Sequence, residues 1–328
     1  MILVTGGAGF IGSNLVAALE RRGERDIVVC DTLGDDDKWR NIAKRDLLDV
    51  IHPDRLDRFL DDHGSRLGAI YHLGAISATT ETDVDLILDN NFRFSKFLWQ
   101  RAAGLRKPLI YASSAATYGD GAEGFDDDMS RAALARLRPL NPYGWSKHLF
   151  DRWVARQIEC GTPRPPQWAG LKFFNVYGPN EYHKEGQVSV VLKNFQEVAA
   201  GGSAVLFRSH HPDYDDGGQL RDFVWVGDCV DVMLWLGDNR DISGLFNLGT
   251  GAARSFADLA NALFVALGRD PDIRFVDTPE AIRDKYQYFT QADMSRLRAA
   301  GYTAPFTALE DGVAAYVRGS LTADDRYV

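Results

Sequence analysis

The chain has 328 residues, a length that corresponds to one large domain or two small ones. Its hydrophobic content of 45% and charged content of 25% are typical of a soluble globular protein. The formal net charge of −9 offers no basic surface to nucleic acid, so we expect no nucleic-acid partner.

Cysteine content and hydropathy indicate in which cellular compartment the protein is expected. The 3 cysteines are too few and too scattered for a disulfide framework or a zinc site. No run approaches the ~18 consecutive apolar residues that a membrane-spanning helix needs. Met1–Val4 leads directly into a glycine turn, which leaves no room for a signal peptide. We therefore expect no membrane partner and a cytoplasmic location.

The first predicted elements are a short apolar strand, Ile2–Val4, and a helix that begins after a glycine-rich turn. The turn reads Thr5-Gly-Gly-Ala-Gly-Phe-Ile-Gly12 and contains the G-x-G-x-x-G spacing. Such glycines allow the backbone to approach a pyrophosphate closely, and the helix N-terminus supplies N–H donors. The cofactor contacts predicted in this turn are Gly6, Gly9, Phe10, Ile11 and Gly12.

A second predicted strand, Ile27–Cys30, ends at Asp31, about twenty residues after the glycines. An acid at this place can accept hydrogen bonds from the ribose hydroxyls of the adenosine, which favours NAD. Lys38 is close enough in sequence to counter the acid and to meet a 2′-phosphate. NAD and NADP therefore both stay open.

Two more strands are predicted to end at the same sheet edge. The third, residues 69–75, ends in Leu73, Gly74 and Ala75, which we expect near the cofactor. The fourth, Leu109–Ser114, ends in hydroxyls at the carboxyl edge, where open α/β sheets bind ligands. Ser114 could hydrogen-bond a substrate hydroxyl, or it could simply cap the end of the strand. Between these strands, residues 89–91 are expected to open a helix.

Tyr143 and Lys147 are four residues apart, so on a helix they share one face about one turn apart. Asn141-Pro142 predicts the start of that helix, with Asn as the N-cap. A nearby ammonium group should lower the pKa of the phenol. The pair is thus a candidate acid/base for a hydroxyl proton, although a surface Tyr–Lys pair has the same spacing.

Alternating strands and helices over the first ~170 residues predict an α/β fold with a doubly wound parallel sheet of the Rossmann type. The alternation is lost after residue 175, which suggests a smaller, interleaved α/β substrate-binding region. We expect segments 222–228 and 245–249 to return to the sheet as strands. The predicted domains are a dinucleotide-binding domain, 1–175 plus segments within about 222–249, and a substrate-binding region, 176–221 and 250–328.

The tract Ser209–Gln219 contains two histidines, three aspartates and two glycines. These side chains are compatible with a metal site, but a mobile acidic loop is the favoured interpretation. We therefore predict no metal in this protein.

Together these motifs resemble the extended short-chain dehydrogenase/reductase superfamily of nucleotide-sugar enzymes, and within it the ADP-L-glycero-D-manno-heptose 6-epimerase family. The glycine turn and the Tyr/Lys pair specify only the superfamily. The closer resemblance rests on segments across nearly the whole chain, which include Phe174–Pro179, His183-Lys184, Arg221–Phe223 and Gln287–Asp293.

The resemblance implies inversion of C6″ of ADP-D-glycero-β-D-manno-heptose, a lipopolysaccharide core precursor, by oxidation to a ketone and re-reduction with tightly bound NADP or NAD. It also implies a homo-oligomer, for which a pentamer is one option. If the nicotinamide face is fixed, the sugar oxygen occupies two positions, which one base cannot easily reach. Tyr143, assisted by Lys147 and Ser114, would exchange the proton of the oxygen in one position. Lys184 would exchange it in the other. A diphosphate-binding role for Lys184 stays open.

The resemblance also implies further contacts. Cofactor contacts are Thr32, Asn90 and Val176; substrate contacts are Ser114, Asn175, Gly186, Lys193, Phe207, Arg221 and Tyr286. Pro53 stands where the family has a cofactor-contacting lysine, the residue at 193 differs in type, and the 209–219 tract is longer. A UDP-galactose type 4-epimerase is the main alternative. A dehydratase would need a carboxylate where Ala115 and Ala116 stand, and a non-catalytic NAD(P) sensor often lacks the Tyr/Lys pair.

Overall fold

The computed structural model describes residues 1–283 and 286–328. The strands are β1 (Ile2–Thr5), β2 (Ile27–Cys30), β3 (Asp49–Ile51), β4 (Ala69–His72), β5 (Leu109–Ser114), β6 (Trp168–Phe173), β7 (Asn175–Tyr177), β8 (Ala204–Phe207), β9 (Leu220–Arg221), β10 (Phe223–Trp225), β11 (Gly244–Leu248), β12 (Arg254–Ser255) and β13 (Ile273–Val276).

The α-helices are α1 (Phe10–Arg21), α2 (Leu56–His63), α3 (Val84–Ile87), α4 (Phe94–Leu105), α5 (Arg131–Arg136), α6 (Pro142–Glu159), α7 (Val190–Ala199), α8 (Val226–Asp238), α9 (Phe256–Leu267), α10 (Glu280–Arg283), α11 (Ser295–Ala299) and α12 (Leu309–Tyr316). Short 3₁₀ turns lie at Asp37–Asn41, Pro53–Arg55, Gly64–Arg66, Ala115–Tyr118 and Tyr182–Gln187, and π-helical turns at Leu88–Arg93 and Val317–Leu321. No helix within the described residues is long and apolar enough to cross a bilayer.

Seven of the described strands form one sheet in the order β11-β6-β5-β4-β1-β2-β3. Each neighbouring pair in this sheet is parallel. β1, β2 and β4 are buried along their whole length, because helices cover both faces of a parallel sheet. The chain winds outward from β1 in both directions, which confirms the predicted doubly wound α/β fold.

The two segments that were predicted to return to the main sheet, 222–228 and 245–249, pair with different strands. β11 pairs with β6 and returns to the main sheet, as the sequence predicts. β10 instead pairs in parallel with β7, in a separate small sheet, so the prediction for residues 222–228 is wrong. β6 already has β5 and β11 as its two neighbours, and β10 therefore has no edge of β6 to join.

Two further details differ from the sequence analysis. β3, which pairs with β2 at the edge of the sheet, is an additional strand between the second and third predicted strands. The helix expected to open at residues 89–91 begins earlier, at Val84, where the side chain of Asp83 accepts a hydrogen bond from the Leu86 N–H. A segment as short as Asp49-Val50-Ile51, with 3 residues, has no periodicity from which a strand could be recognised.

The buried apolar side chains form three clusters. Two of them include residues of the strands in the main sheet. The third packs α7, α9 and α12 against one another and onto β8, away from the seven-stranded sheet. This separate cluster supports a second, smaller region whose elements follow the loss of βα alternation.

Candidate active site

The glycine turn between β1 and α1 is closely packed. A Cβ atom on Gly12 would lie 2.1 Å from the carbonyl oxygen of Gly6, and one on Gly6 would lie 2.4 Å from the Gly74 nitrogen. Gly6 also has a φ of +68°, which favours glycine. The turn and the predicted contacts at the end of β4, Leu73, Gly74 and Ala75, are therefore neighbours, as expected for residues that share one carboxyl edge.

Helix α1 begins without a side-chain cap. Its N-cap residue is Gly9, and among the described residues no side chain accepts a hydrogen bond from the first turn at Phe10, Ile11 and Gly12. Such N–H groups, together with the positive end of the helix dipole, suit a phosphate. The turn at this place thus fits a dinucleotide pyrophosphate.

Asp31 lies directly beside the glycine turn. Its carboxylate accepts a hydrogen bond from the Ala8 N–H at 2.9 Å and is 2.6 Å from the Lys38 Nζ. The Lys38 ammonium also donates to the carbonyl oxygen of Thr32 at 3.1 Å. Lys38 therefore counters the acid in space as well as in sequence, and the three residues surround the place where a ribose would bind next to the pyrophosphate.

Tyr143 and Lys147 lie in the first two turns of α6. The helix starts as predicted, because the side chain of Asn141 accepts a hydrogen bond from the Gly144 N–H at 2.8 Å and Pro142 follows it. The Lys147 Nζ donates to the carbonyl oxygen of Ala112 at 2.9 Å. Ser114, two residues further along β5, reaches Tyr143, so the structure brings the proposed acid/base pair to the end of that strand.

The protonation of this pair differs from the sequence expectation. Burial raises the pKa of Tyr143, and a side-chain hydrogen bond with Ser114 opposes that shift. Burial also lowers the pKa of Lys147 to about 8, against the opposite effect of the Asp151 carboxylate. The phenol pKa is thus raised and not lowered as the sequence predicts, because the effect of burial is larger than that of the Ser114 hydrogen bond.

Ser114 has two roles at the end of β5. Its Oγ accepts a hydrogen bond from the Ala116 N–H at 3.1 Å and caps the 3₁₀ turn that follows. Its contact with Tyr143 places the same hydroxyl beside the phenol. The capping interpretation of this serine is therefore confirmed, and its hydrogen bond to a substrate hydroxyl stays a prediction.

His72, at the end of β4, is a packed structural histidine. Its two ring nitrogens pair with the hydroxyls of Thr5 at 2.6 Å and Ser95 at 2.8 Å. Burial lowers its pKa to about 3, with a smaller effect of the Lys147 charge. A neutral ring with both nitrogens engaged has no proton to offer a substrate.

Lys184 lies in a 3₁₀ turn next to the start of α1. Its Nζ is 5.4 Å from the centroid of the Phe10 ring, close enough for a cation–π contact. Burial lowers its pKa, and Glu181 acts in the opposite direction. The second proposed base therefore approaches the glycine turn, whereas Tyr143 lies at the end of β5.

Several hydrogen bonds fix the segment that carries Lys184. Asn180 has a φ of +71° and donates to the Ser13 hydroxyl in α1 at 3.0 Å. Asn41 donates to the carbonyl oxygen of Asn180 at 3.0 Å and contacts the His183 ring at 3.1 Å. The position of Lys184 is thus tied to α1, the helix that follows the glycine turn.

Three of the predicted substrate contacts form one cluster. The guanidinium carbon of Arg221 lies 5.4 Å from the centroid of the Tyr286 ring, and the Phe207 ring is 6.1 Å from the same ring. Arg221 is largely buried and donates to the carbonyl oxygens of Leu220 and Gln287. Desolvation lowers its pKa. A buried arginine between aromatic rings is suited to phosphate oxygens.

The tract Ser209–Gln219 extends this aromatic cluster. Tyr214 and His211 pack against Tyr288 with their rings tilted, at centroid distances of 5.2 and 5.1 Å, and Tyr288 lies 5.3 Å from Tyr286. A cavity of ≈ 530 Å³ lies between these rings and the segment 120–122 that follows β5. No group of three metal-ligating side chains occurs within the described residues.

Other predicted contacts stand apart from these clusters. Asn90 is exposed and donates to the carbonyl oxygen of Leu86 in its own helix at 3.2 Å. Its neighbour Asn91 is buried and donates to the Ser146 hydroxyl at 3.0 Å. Four more lie on the surface or in β7, with no described side-chain bond to the Arg221 cluster: Asn175, Val176, Gly186 and Lys193.

A polar network behind the Tyr/Lys pair was not predicted from the sequence. Asp151, one turn after Lys147 on α6, accepts from the Ser113 hydroxyl at 2.7 Å and lies 3.2 Å from the Lys172 Nζ. The i+4 spacing from Lys147 was the available signal for Asp151. No local pattern marked Lys172, because a lysine in a buried strand looks like an exposed edge residue.

Comparison with known proteins agrees with this geometry. The sequence profile of the NAD dependent epimerase/dehydratase family matches residues 2–249. The ADP-L-glycero-D-manno-heptose-6-epimerase of Nitratidesulfovibrio vulgaris (strain DP4) is 50% identical over 332 aligned positions, covering 100% of both chains.

Two solved structures are similar in fold. One is Helicobacter pylori ADP-L-glycero-D-manno-heptose-6-epimerase, with a TM-score of 0.78, 28% identity, and coverage of 97% of this chain and 95% of that one. The other is MoeE5 in complex with UDP-glucose and NAD, with a TM-score of 0.76, 26% identity, and coverage of 98% and 99%. The chain therefore belongs to the NAD dependent epimerase/dehydratase family, within the group of ADP-L-glycero-D-manno-heptose-6-epimerases.

Proposed function

We propose that this enzyme inverts C6″ of ADP-D-glycero-β-D-manno-heptose to give the L-glycero epimer, a precursor of the lipopolysaccharide core. The name of a full-length relative at 50% identity supports this substrate. The segments that carry the resemblance, such as His183-Lys184 and Arg221–Phe223, are spread over both regions of the chain.

The observation that carries the proposal is the separation of two proton carriers. Tyr143 contacts Ser114 at the end of β5, and Lys184 contacts Phe10 just after β1. β4 lies between those two strands, so their ends are two strand spacings, on the order of 10 Å, apart. A sugar oxygen that must exchange its proton in two positions can thus meet a different side chain in each.

The proposed roles follow from these contacts. Tyr143 exchanges the proton of the C6″ oxygen in one position, with the Ser114 hydroxyl holding that oxygen by a hydrogen bond. Lys147, on the same face of α6 and held by the carbonyl oxygen of Ala112, is proposed to contact the bound cofactor beside Tyr143. Lys184 exchanges the proton in the other position. When bound, the nicotinamide accepts a hydride from the sugar carbon and later supplies one to it.

Arg221 and the aromatic rings around it are proposed to hold the nucleotide diphosphate. A guanidinium group matches phosphate oxygens with two parallel hydrogen bonds. The Tyr286 ring lies 5.4 Å from the guanidinium carbon of Arg221 and 6.1 Å from the Phe207 ring, and both rings offer an apolar face. A substrate held here by its diphosphate would leave the sugar free to present either face.

We further propose that the cofactor is NADP and that it stays tightly bound. Lys38 forms an ion pair with Asp31. Its ammonium group is also proposed to contact the 2′-phosphate of an adenosine ribose bound beside Asp31. The ketone must be reduced before it leaves, which requires the cofactor to stay bound through turnover.

We further propose that the dinucleotide binds to the region 1–175 with β11, and that the substrate lies under the remaining segments. The separate apolar cluster of α7, α9 and α12 supports the division. A cytoplasmic homo-oligomer, such as a pentamer, is proposed on the family resemblance.

The test is a comparison of two substrates. Purified enzyme is incubated with ADP-D-glycero-β-D-manno-heptose and, separately, with UDP-galactose, and the epimers are separated by chromatography. Conversion of the ADP-heptose alone is expected. Conversion of UDP-galactose alone would replace the proposal with a 4-epimerase. Alanines at positions 115 and 116 argue against a dehydratase, since they provide no carboxylate near the sugar.

A further inference from the structure

Three consecutive residues at the end of β5 each reach a different side chain on one face of α6. Tyr143, Lys147 and Asp151 share that face because they are spaced four residues apart. The contacts are Ala112 O with Lys147 Nζ at 2.9 Å, Ser113 Oγ with Asp151 Oδ2 at 2.7 Å, and Ser114 with Tyr143.

Lys172, on the neighbouring strand β6, completes this connection. It pairs in register with Ser113, and its Nζ lies 3.2 Å from the Asp151 carboxylate. It also donates to the Thr117 hydroxyl at 2.6 Å, which in turn donates to the carbonyl oxygen of Ser114 at 2.8 Å. Through Ser113 and Thr117, the ion pair therefore contacts both the end of β5 and the 3₁₀ turn that follows it.

Stability alone does not explain a charged pair at this place. The Asp151 and Lys172 side chains are 0% and 1% exposed. Desolvation of two ions offsets much of their attraction, and an apolar pair of similar size is often as stable. A charged pair does, however, fix a single arrangement, because each partner left alone would be an uncompensated buried charge.

We propose that the Asp151–Lys172 ion pair positions Tyr143, Lys147 and Ser114 for proton transfer, by holding the end of β5 against one face of α6. Both residues act through others and neither touches the sugar. The proposal rests on the proposed function for the role of Tyr143, whereas the contacts themselves are independent of the substrate.

The Asp151 carboxylate also bears on the charge of Lys147. It opposes the effect of burial on the pKa of Lys147, which is lowered to about 8. Other charged groups also act on this network: the Asp127 carboxylate, whose pKa burial raises to about 6, raises the pKa of Lys172, and Arg152 and Arg138 act on His148. Burial lowers the pKa of His72 to about 3 and of His148 to about 4, and it raises the pKa of the Tyr111 and Tyr118 phenols well above their ordinary value.

The test uses the full-length enzyme in four variants: Asp151→Asn, Lys172→Met, Lys172→Arg and Asp228→Asn. Asp228 is the matched control, because it is a buried carboxylate in α8 that accepts two hydrogen bonds from Thr307, at 2.8 Å each. For each variant we measure kcat and KM with the ADP-heptose, and the pKa of the Lys147 ammonium by NMR on lysine-labelled protein, assigned with Lys147→Met.

We expect Asp151→Asn and Lys172→Met to reduce kcat by about 10- to 100-fold with little change in KM, because a small displacement of reacting groups is costly. Lys172→Arg, which keeps the charge, should restore most of the rate. In Asp151→Asn the pKa of Lys147 should fall below about 8, so that Lys147 loses its proton at a lower pH. The Asp228→Asn control should leave kcat and the pKa of Lys147 unchanged.

The proposal is overturned if folded Asp151→Asn keeps kcat within threefold of the parent, or if the pKa of Lys147 does not move. A loss no larger than that of the Asp228→Asn control would equally assign the pair a structural role only. Should Asp151→Asn fail to fold, Ser113→Ala, which removes a single hydrogen bond, takes its place with the same expected decrease in kcat. If the parent does not convert the ADP-heptose, the proposed function fails, and the NMR titration alone decides on the ion pair.

Discussion

The ammonium group of Lys184 lies 5.4 Å from the centroid of the Phe10 ring, in the first turn of the helix that follows the glycine turn. This contact brings the 3₁₀ turn that carries Lys184, more than 170 positions later in the chain, next to the glycine turn. The structure thus brings Lys184, the proposed second base, next to the glycine turn.

Lys184→Met separates proton transfer from phosphate binding. Methionine keeps most of the apolar stem but has no proton to exchange. We expect kcat to fall by about 100-fold, the usual size of a general acid–base contribution, with KM largely unchanged. Because burial lowers the pKa of Lys184, its charge is costly in the folded state, so the thermal midpoint should stay equal or rise. Steady-state kinetics and thermal unfolding check both points. A rise in KM alone would assign Lys184 to the diphosphate.

Tyr143→Phe removes the phenolic oxygen from the end of β5 without altering the N-terminus of α6. Turnover should fall by about 10³-fold or more, since this oxygen is the proposed proton carrier. Cofactor content, measured by absorbance after denaturation, should match that of the parent. As a control, Tyr182→Phe removes a hydroxyl that donates to the Arg326 carbonyl oxygen at 2.8 Å and should leave the rate nearly unchanged. Near-normal turnover by Tyr143→Phe would refute the assignment.

Gly12→Ala tests the packing of the glycine turn. The new Cβ would lie 2.1 Å from the Gly6 carbonyl oxygen, so the backbone must shift. We expect a loss of about 1–3 kcal/mol in the free energy of unfolding, as for other overpacked positions, together with loss of bound cofactor. Gly104→Ala, near the end of α4, meets no atom within 4 Å and should be neutral or slightly stabilising. Chemical denaturation of the two variants makes the comparison; equal stabilities would contradict it.

Lys38→Ala tests the choice of cofactor. Loss of the ammonium removes the charged donor available to a 2′-phosphate and leaves Asp31 without its 2.6 Å partner. If the enzyme uses NADP, its Kd should rise about 10- to 100-fold, as expected for a lost charged hydrogen bond, while the Kd for NAD changes little. Titration of cofactor-stripped protein with each dinucleotide measures both values. An equal change in the two constants would show that Lys38 does not read the phosphate.

Tyr214→Ala tests the longer loop beside the Arg221 cluster. The ring lies 5.2 Å from Tyr288, and its phenol is close enough to raise the pKa of Arg221 against the effect of burial. Loss of this aromatic wall should raise KM for the ADP-sugar by about 2- to 10-fold with kcat preserved, from the energy of one aromatic contact. Tyr214→Phe keeps the ring and serves as the control. An unchanged KM would place the loop outside the nucleotide site.

The first half of the fold could be predicted because its signals are local. The glycine turn after an apolar strand, the Asn141-Pro142 helix start and the hydroxyls at the end of β5 each depend on a few adjacent residues. Pairing over long distances is different. That β10 joins β7 depends on which strand edges are already taken, and no pattern within residues 222–228 reports it.

The candidate active site could likewise be predicted only in part from the sequence. Tyr143 and Lys147 are recognisable by spacing, but their pKa values depend on burial, which the sequence does not state. Lys172 illustrates the difficulty best: its side chain is fully buried by partners from β5 and α6, and only the register of β5 against β6 brings it to Ser113. The tight association of Tyr214, Tyr286 and Tyr288 likewise arises between distant segments.

The three successive bonds between the end of β5 and α6 have a consequence for how inversion proceeds. We expect a phenol held in this way to keep its position during catalysis and not to follow an oxygen that changes sides. In the proposed mechanism the sugar is then the part that turns, by rotation about its bound diphosphate.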